Sequence, residues 1–369
     1  MTRRVFSALL LALGGTVALL LDWQVMLRRL HERASLVPGD LAEFRAYAFA
    51  LFHTHDPTAT AASGLPYPPP FVLLAAPLDW VTPLSGYVLW LLFGNLALAA
   101  AARRAGLTWA AVALGLLSPP NLYCMAMGQT GAFVSALLLA ALSLTPRQPF
   151  AAGLAAAGIV IKPHFGLLMP ICFLAARQYR AVLAAAFGLL ILCLLPLALV
   201  DPQIWTVFLF DNSSHATRLV TQAWPQPYQY VMVTVFMMLR SLGGGMAASY
   251  GAQAIATAAA AAGCWQLWRA TAQDDGFARL SATLCLVALA TPYAYIYDLV
   301  ALGFGLAGYA ATRNWAATAP LAIFWLFTGL YGLLSMGLFL TGALFLALIA
   351  WLVWPRQRQS SASNSAICS

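Results

Sequence analysis

Runs of about 20 apolar residues recur along this chain from Val5 to Trp354. That is the length a helix needs to cross the hydrocarbon of a bilayer. No water is present there to satisfy backbone N–H and C=O groups, so a spanning segment is a helix or part of a closed barrel. Barrel strands alternate apolar and polar residues, and these runs do not. The composition agrees: 62% of the residues are hydrophobic and 8% are charged, where a soluble domain carries roughly 25% charged residues. The expected fold class is an all-α polytopic membrane protein. Residues 1–355 form a single transmembrane domain, and the Ser-rich stretch 356–369 is expected to be a disordered cytoplasmic tail.

The formal net charge of +8 does not imply nucleic acid. Most of the arginine lies between apolar runs, where the positive-inside rule places it. About twelve crossings follow that rule: Val5–Leu27, Leu84–Ala102, Trp109–Tyr123, Ala132–Leu144, Phe150–Ile161, Phe165–Ala176, Val182–Val200, Tyr250–Trp268, Leu280–Ala290, Leu299–Ala311, and stretches near 315–328 and 332–354. On this path both termini are cytoplasmic. Arg3, Arg4, Arg103, Arg104, Arg147, Arg177, Arg180, Arg269, Arg279, Arg313, Arg356 and Arg358 all fall inside. The exceptions, Arg28, Arg29, Arg33, Arg45, Lys162, Arg218 and Arg240, share the outer side with acidic loops, as an external anion site requires. The six cysteines show no CxxC or Cys/His spacing, so neither a zinc site nor a disulfide framework is expected. Abundant Ala and Arg with a single Lys fit a GC-rich bacterial genome, and the apolar helical spans then place the protein in the inner membrane.

The most polar outer stretch runs from Val37 to Pro77 and holds Asp40, Glu43, Arg45, His53, His55 and Asp56. Pro38-Gly39 turns, and a helix is expected to start at Asp40, with Asp40, Glu43 and Tyr47 on one face. Asp40 then has two readings. It is a helix N-cap, with Glu43 completing a capping box. Or it is a general base at a dry-edged lipid surface, where carboxylate basicity rises. The proline-broken segment Tyr67–Leu78 is expected to lie along the membrane as a surface helix.

Other polar groups stand at span ends. Lys162-Pro163-His164 closes a span, where the cation snorkels or meets an anion such as a phosphate. His53-Thr54-His55-Asp56 reads as a solvated turn rather than a metal cluster. Gly128-Gln129-x-Gly131 is a turn whose Gln129 is able to donate to a sugar hydroxyl. Asp211, Asn212, His215 and Arg218 occupy a wet outer loop. Asp298, beside Tyr293, Tyr295 and Tyr297, is an ionisable group at a span edge, with Arg218 or Lys162 as its expected partner. Val231–Leu242 reads as a re-entrant or interfacial helix ended by Gly243-Gly244-Gly245. No Walker A, H-x-x-E-H or G-x-S-x-G motif occurs.

The order of these motifs resembles glycosyltransferase family 87, polytopic enzymes of the GT-C class that include polyprenol-phosphate-mannose-dependent mannosyltransferases. The resemblance covers residues 35 to 315. It is carried by the Asp40 loop after the first span, Tyr67-Pro68-Pro69, Gly128-Gln129-x-Gly131, Lys162-Pro163-x-Phe165-Gly166 and Thr291-Pro292-Tyr293 through Tyr297-Asp298. It implies a GT-C-like fold and an inverting transfer of a hexose or pentose. The sugar would move from a polyprenyl-phosphate donor to a lipid or glycan acceptor on the periplasmic face. Asp40 would be the base. Lys162, His164 and Arg218 would hold the donor phosphate. Glu43, Tyr67, Gln129, Tyr293 and Asp298 would shape the sugar or acceptor pocket. The leaving lipid phosphate is already charged, so no metal or other cofactor is expected. The sequence departs from the family pattern in carrying Tyr297-Asp298 where many members have a Trp/His pair. Gln226-Pro227-Tyr228-Gln229-Tyr230 also lacks the Ser that often follows its Gln.

The alternative is a carrier or flippase for a lipid-linked or small polar substrate. A carrier needs polar groups near the bilayer midplane. Here they gather at span ends, which favours the enzyme.

Overall fold

A computed structural model of the chain describes residues 3–31, 37–54, 67–270, 276–335 and 340–355. The described residues are helical, with one isolated bridge between Met232 and Tyr295 in place of a sheet. Three helices are long and apolar enough to cross a membrane: Ser7–Val25 within the first helix, Pro83–Arg104 and Tyr179–Leu199. Trp109–Leu116 and Pro119–Met127 meet that test as a pair bent by 52°. The expected continuous span Trp109–Tyr123 is therefore broken, because Pro119 and Pro120 cannot continue the preceding helix and instead start the next one, after Ser118. The other apolar helices are shorter, among them Gly131–Leu144, Gly276–Ala290, Val300–Ala311 and Gly342–Val353.

Local signals place the helix ends. Thr82 caps Pro83–Arg104 by accepting from the Ser85 N–H, and Thr108 caps Trp109–Leu116 by accepting from Ala111. Arg103 and Arg104 close the first of these at its negative end. Gly276–Ala290 and Val300–Ala311 are apolar nearly all round, and both are buried on most faces, as a central helix should be. Around them pack Trp109–Leu116, Gly131–Leu144, Met246–Arg269 and Gly342–Val353. The first helix, Arg3–His31, lies against Ala319–Ser335, and Tyr179–Leu199 against Pro149–Gly158. The outward faces of these peripheral helices show Leu9, Leu13, Leu183, Leu190 and Phe187 to the surroundings. In water that would be costly, and in lipid it is the expected surface.

The stretch after the first span differs from the expectation in two respects. Helix Gly39–Phe49 begins one residue early: Pro38 is its N-cap, no side chain caps it, and Asp40 stands inside the first turn. The Tyr67–Leu78 segment is not a surface helix. Its two short helices, Phe71–Ala75 and Ala76–Leu78, are buried at Phe71, Val72, Ala75, Ala76 and Leu78. The reason is aromatic packing. Phe44 meets Tyr67, Phe71 and Trp90 with ring centroids 5.3, 4.9 and 5.7 Å apart, so the helix above folds down on the segment and covers it with protein. Tyr47 joins this buried face, whereas Glu43 points outward and is exposed. Residues 356–369, read above as a tail, lie outside the described residues.

Candidate active site

Four separate breaks in helix converge at one end of the bundle. They are the start of Gly39–Phe49, the Gly128–Gly131 turn, the turn at Lys162 between Ile159–Ile161 and Pro163–Phe165, and the turn Ile296–Asp298. Each break is written in the sequence. Gly128 ends Pro119–Met127 with φ +66°, a left-handed conformation that glycine adopts without strain. A β-carbon on Gly128 would meet Pro38 and Leu41 at 3.1 Å, so this glycine also lets the Asp40 helix approach. Pro163 stops the helix at Lys162. Gly131 lies so close to the next segment that a β-carbon would stand 2.5 Å from the Tyr297 carbonyl oxygen.

That packing brings Asp40 onto Gln129. The Gln129 amide nitrogen donates to Asp40 Oδ2 at 2.6 Å. Its amide oxygen accepts from the Tyr67 hydroxyl at 3.4 Å, and the same hydroxyl lies 3.1 Å from Thr130 Oγ1. The Gln129 carbonyl accepts from the Trp90 indole at 3.2 Å. Gln129 is thus gripped at backbone and side chain, and it fixes one oxygen of the Asp40 carboxylate. Burial pushes the Tyr67 phenol up to about 12, against the opposing pull of Lys162, so it works as a neutral hydroxyl. Partial burial raises the Glu43 carboxyl, and the neighbouring Asp40 charge raises it further. Burial likewise raises Tyr293, with Asp40, Lys162 and Asp298 all close enough to act on it.

The second half of the cluster is an ion pair. Lys162 Nζ donates to Asp298 Oδ1 at 2.7 Å, with both side chains nearly inaccessible, at 6% and 2%. Asp298 Oδ2 accepts from the Tyr295 N–H at 3.1 Å, which closes its own turn. The ammonium also faces the rings of Tyr297 at 5.5 Å and Tyr67 at 5.9 Å. Of the two partners weighed for Asp298, Lys162 is the one found. The pair holds together two segments 136 residues apart in the chain. His164 packs at a tilt against Phe165 and meets Tyr293 edge-on, with centroids 4.7 and 5.6 Å apart. Its Nε2 is buried and has no hydrogen-bond partner among the described residues.

Asp40, Gln129, Tyr67, Lys162, His164, Tyr293 and Asp298 therefore form one connected group. Glu43 flanks it from the exposed side of its helix. Arg218 is exposed on Ser213–Thr221, and no hydrogen bond or ion pair joins it to the group. His53 Nε2 lies 2.5 Å from Asp79 Oδ2, away from the group, while His55 and Asp56 lie outside the described residues. Among the described residues no three His, Cys, Asp or Glu side chains gather as metal ligands. A cavity of about 720 Å³ lies not here but at the other end of the bundle.

Thr130, which meets the Tyr67 hydroxyl, was not singled out from the sequence; it sits inside the glycine turn, one position from Gln129.

Gly131→Ala gives a test of this assembly. The added methyl must push the Tyr297 carbonyl away, so the variant is expected to unfold about 1–3 kcal/mol more easily and to loosen Gln129 from Asp40. Thermal unfolding in detergent checks the first effect. An unshifted midpoint would mean that the turn and the Tyr297 segment are not packed as described.

Fold and site together define an all-helical membrane protein whose buried polar groups gather where helices break at one end. The sequence matches the family model described as glycosyltransferase family 87 over residues 65–292. The chain belongs to that family, and it is a glycosyltransferase rather than a carrier. No curated protein and no solved structure matches it.

Proposed function

We propose that the protein moves a hexose or pentose from a polyprenyl-phosphate donor to a lipid or glycan acceptor, with inversion, at the outer face of a bacterial inner membrane. The observation that carries this reading is the hydrogen-bonded run from Tyr67 through Gln129 to Asp40, set beside the buried Lys162–Asp298 pair. Asp40 accepts the proton of the acceptor hydroxyl, and that oxygen attacks the anomeric carbon from the face opposite the phosphate. The bond between the anomeric carbon and the phosphate oxygen breaks, and its electron pair leaves on the lipid phosphate. A carboxylate held at one oxygen loses less orientational freedom on reaching this geometry.

The charge balance refines the phosphate roles. Lys162 is already neutralised by Asp298, so its field on a donor phosphate is much reduced, and its first task is to hold the Tyr297 segment in place. His164 Nε2 is the better candidate for a phosphate oxygen, because a buried nitrogen without a partner gains most from acquiring one. Arg218 remains a candidate from the exposed rim. Tyr293 and Glu43 face the same region as Asp40 and would contact sugar or acceptor.

The lipid part of the donor also has a fitting surface. An apolar cavity of about 510 Å³ runs between Pro83–Arg104 and Gly131–Leu144. It begins at Pro70 and Ile161, next to the site, and ends at Arg104. Its lining of Leu, Ala and Val suits an isoprenoid chain lying in the membrane plane of these helices. On this reading the path of about twelve crossings and the GT-C-like arrangement put the Asp40 end outside.

The test is chemical. Cells lacking the protein are expected to accumulate a lipid or glycan one hexose or pentose short, seen by mass spectrometry of an envelope extract. Purified protein is expected to complete it when given a polyprenyl-phosphate sugar. Completion with a nucleotide sugar instead would reject the lipid-phosphate donor.

A further inference from the structure

The 720 Å³ cavity lies away from the proposed chemistry. Helix Gly131–Leu144, 14 residues long, starts at the Asp40 group and ends at this cavity, so the two are separated by about 20 Å. The cavity is bounded by the ends of several helices. It takes Arg147, Arg177, Arg269 and Arg279 from four of them, and no Asp or Glu is among the described lining residues; Asp274 and Asp275, between the lining residues Ala270 and Gly276, lie outside the described residues. None of these guanidinium groups has an ion pair or a side-chain hydrogen bond among the described residues. Arg279 stacks on Trp268, 4.7 Å from the ring centroid, which holds its position without neutralising it.

Two further observations mark a binding site rather than scattered membrane-facing charge. The Ser143 hydroxyl lines the cavity, is buried, and has no partner among the described residues. A buried hydroxyl left unpaired is costly, and it calls for an acceptor or donor from outside the chain. Arg177 occupies the residue just past Met169–Ala175 and Ala176 with φ +56°. There its N–H reaches Leu174 and the next N–H reaches Phe173, the pattern that normally selects glycine. The chain keeps an arginine in that strained conformation at the mouth of a cationic cavity. The positive-inside rule brings arginines to this end, but it does not require four of them to converge on one hollow.

We propose that this cavity is a second, non-catalytic site that binds a phosphate group, either the headgroup of an anionic phospholipid or a soluble phosphate ester. Planar guanidinium groups match phosphate oxygens in pairs, the Ser143 hydroxyl supplies one more donor, and the Trp268 and Phe277 rings give an apolar wall for glycerol or acyl carbons.

The experiment uses the full chain in nanodiscs of phosphatidylcholine. One arm dopes the discs with phosphatidylglycerol, and the other adds glycerol 3-phosphate to undoped discs. Thermal unfolding and native mass spectrometry of retained lipid are the readouts. At least one arm is expected to raise the unfolding midpoint. A rise with phosphatidylglycerol alone assigns the headgroup, and a rise with glycerol 3-phosphate assigns a soluble ester. The Arg177→Gln/Arg279→Gln variant is expected to lose the rise, with binding about tenfold weaker or worse. Arg180→Gln, at the same end but outside the cavity lining, is expected to keep it. If the paired variant does not fold, the single exposed change Arg147→Gln carries the same expectation. The proposal is overturned if neither arm stabilises the parent, or if Arg180→Gln loses as much as the cavity variants. Loss of sugar transfer plays no part in this test, so its outcome is separate from the fate of the Asp40 reading.

Discussion

Asp40→Asn is expected to lower sugar transfer by about 10²–10⁴-fold, the range a positioned general base contributes, while the protein inserts and folds as before. Asparagine has the shape of aspartate, and its amide oxygen still accepts from Gln129, so the local packing of Pro38, Leu41 and Gly128 is preserved. What is lost is the ability to take a proton. The measurement is initial rate with a polyprenyl-phosphate sugar, compared with unfolding midpoint for the same preparation. Near-parental rates would remove Asp40 from the chemistry. A lowered midpoint with lost activity would instead mean that the carboxylate supports the fold. Gln129→Ala provides the companion measurement. It leaves the base in place but releases it, so it is expected to reduce the rate by about 10-fold or more, with less effect than removal of Asp40 itself.

Asp298→Asn carries the second large effect, on stability. Breaking a buried ion pair by removing one partner leaves the other charge uncompensated and costs about 3–5 kcal/mol. Lys162 is then a buried ammonium facing the rings of Tyr67 and Tyr297 with its carboxylate partner gone. The double change Lys162→Gln/Asp298→Asn removes both charges, keeps an acceptor for the Tyr295 N–H, and is expected to recover most of the stability. Chemical or thermal unfolding of the parent, Lys162→Gln, Asp298→Asn and the double variant forms a double-mutant cycle. A double-variant loss equal to the sum of the two single losses would show that the pair is not coupled. Sugar transfer by the folded double variant then separates the two roles of Lys162. Retained transfer assigns it to architecture alone, and lost transfer assigns it a part in handling the donor phosphate.

Much of this protein is written in its sequence because the bilayer imposes a severe rule. Every backbone group inside hydrocarbon must be paired within its own segment, so apolar runs become helices whatever their neighbours do. The helices Pro83–Arg104 and Tyr179–Leu199 fall where the runs lie, with threonine, proline and arginine marking their ends. The site residues were legible for the same reason. A carboxylate or ammonium is so costly in such a chain that Asp40, Lys162 and Asp298 each stand out, and Gly128 and Gly131 mark a turn that other residues would strain.

What sequence alone left open was partnership and cover. Nothing local in Lys162 says that its charge is spent on a carboxylate 136 positions away, and nothing local in Tyr67–Leu78 says that Phe44 will fold over it. An apolar, proline-broken segment suits lipid and protein equally well, so only tertiary packing decides which one covers it. The sequence determined the helices, the breaks between them and the identity of the scarce charged groups, since these follow from the solvent each residue must tolerate. The tertiary structure decided which breaks meet, which charges cancel and which guanidinium groups and buried polar atoms are left without a partner, since these depend on close approach between segments distant in the chain.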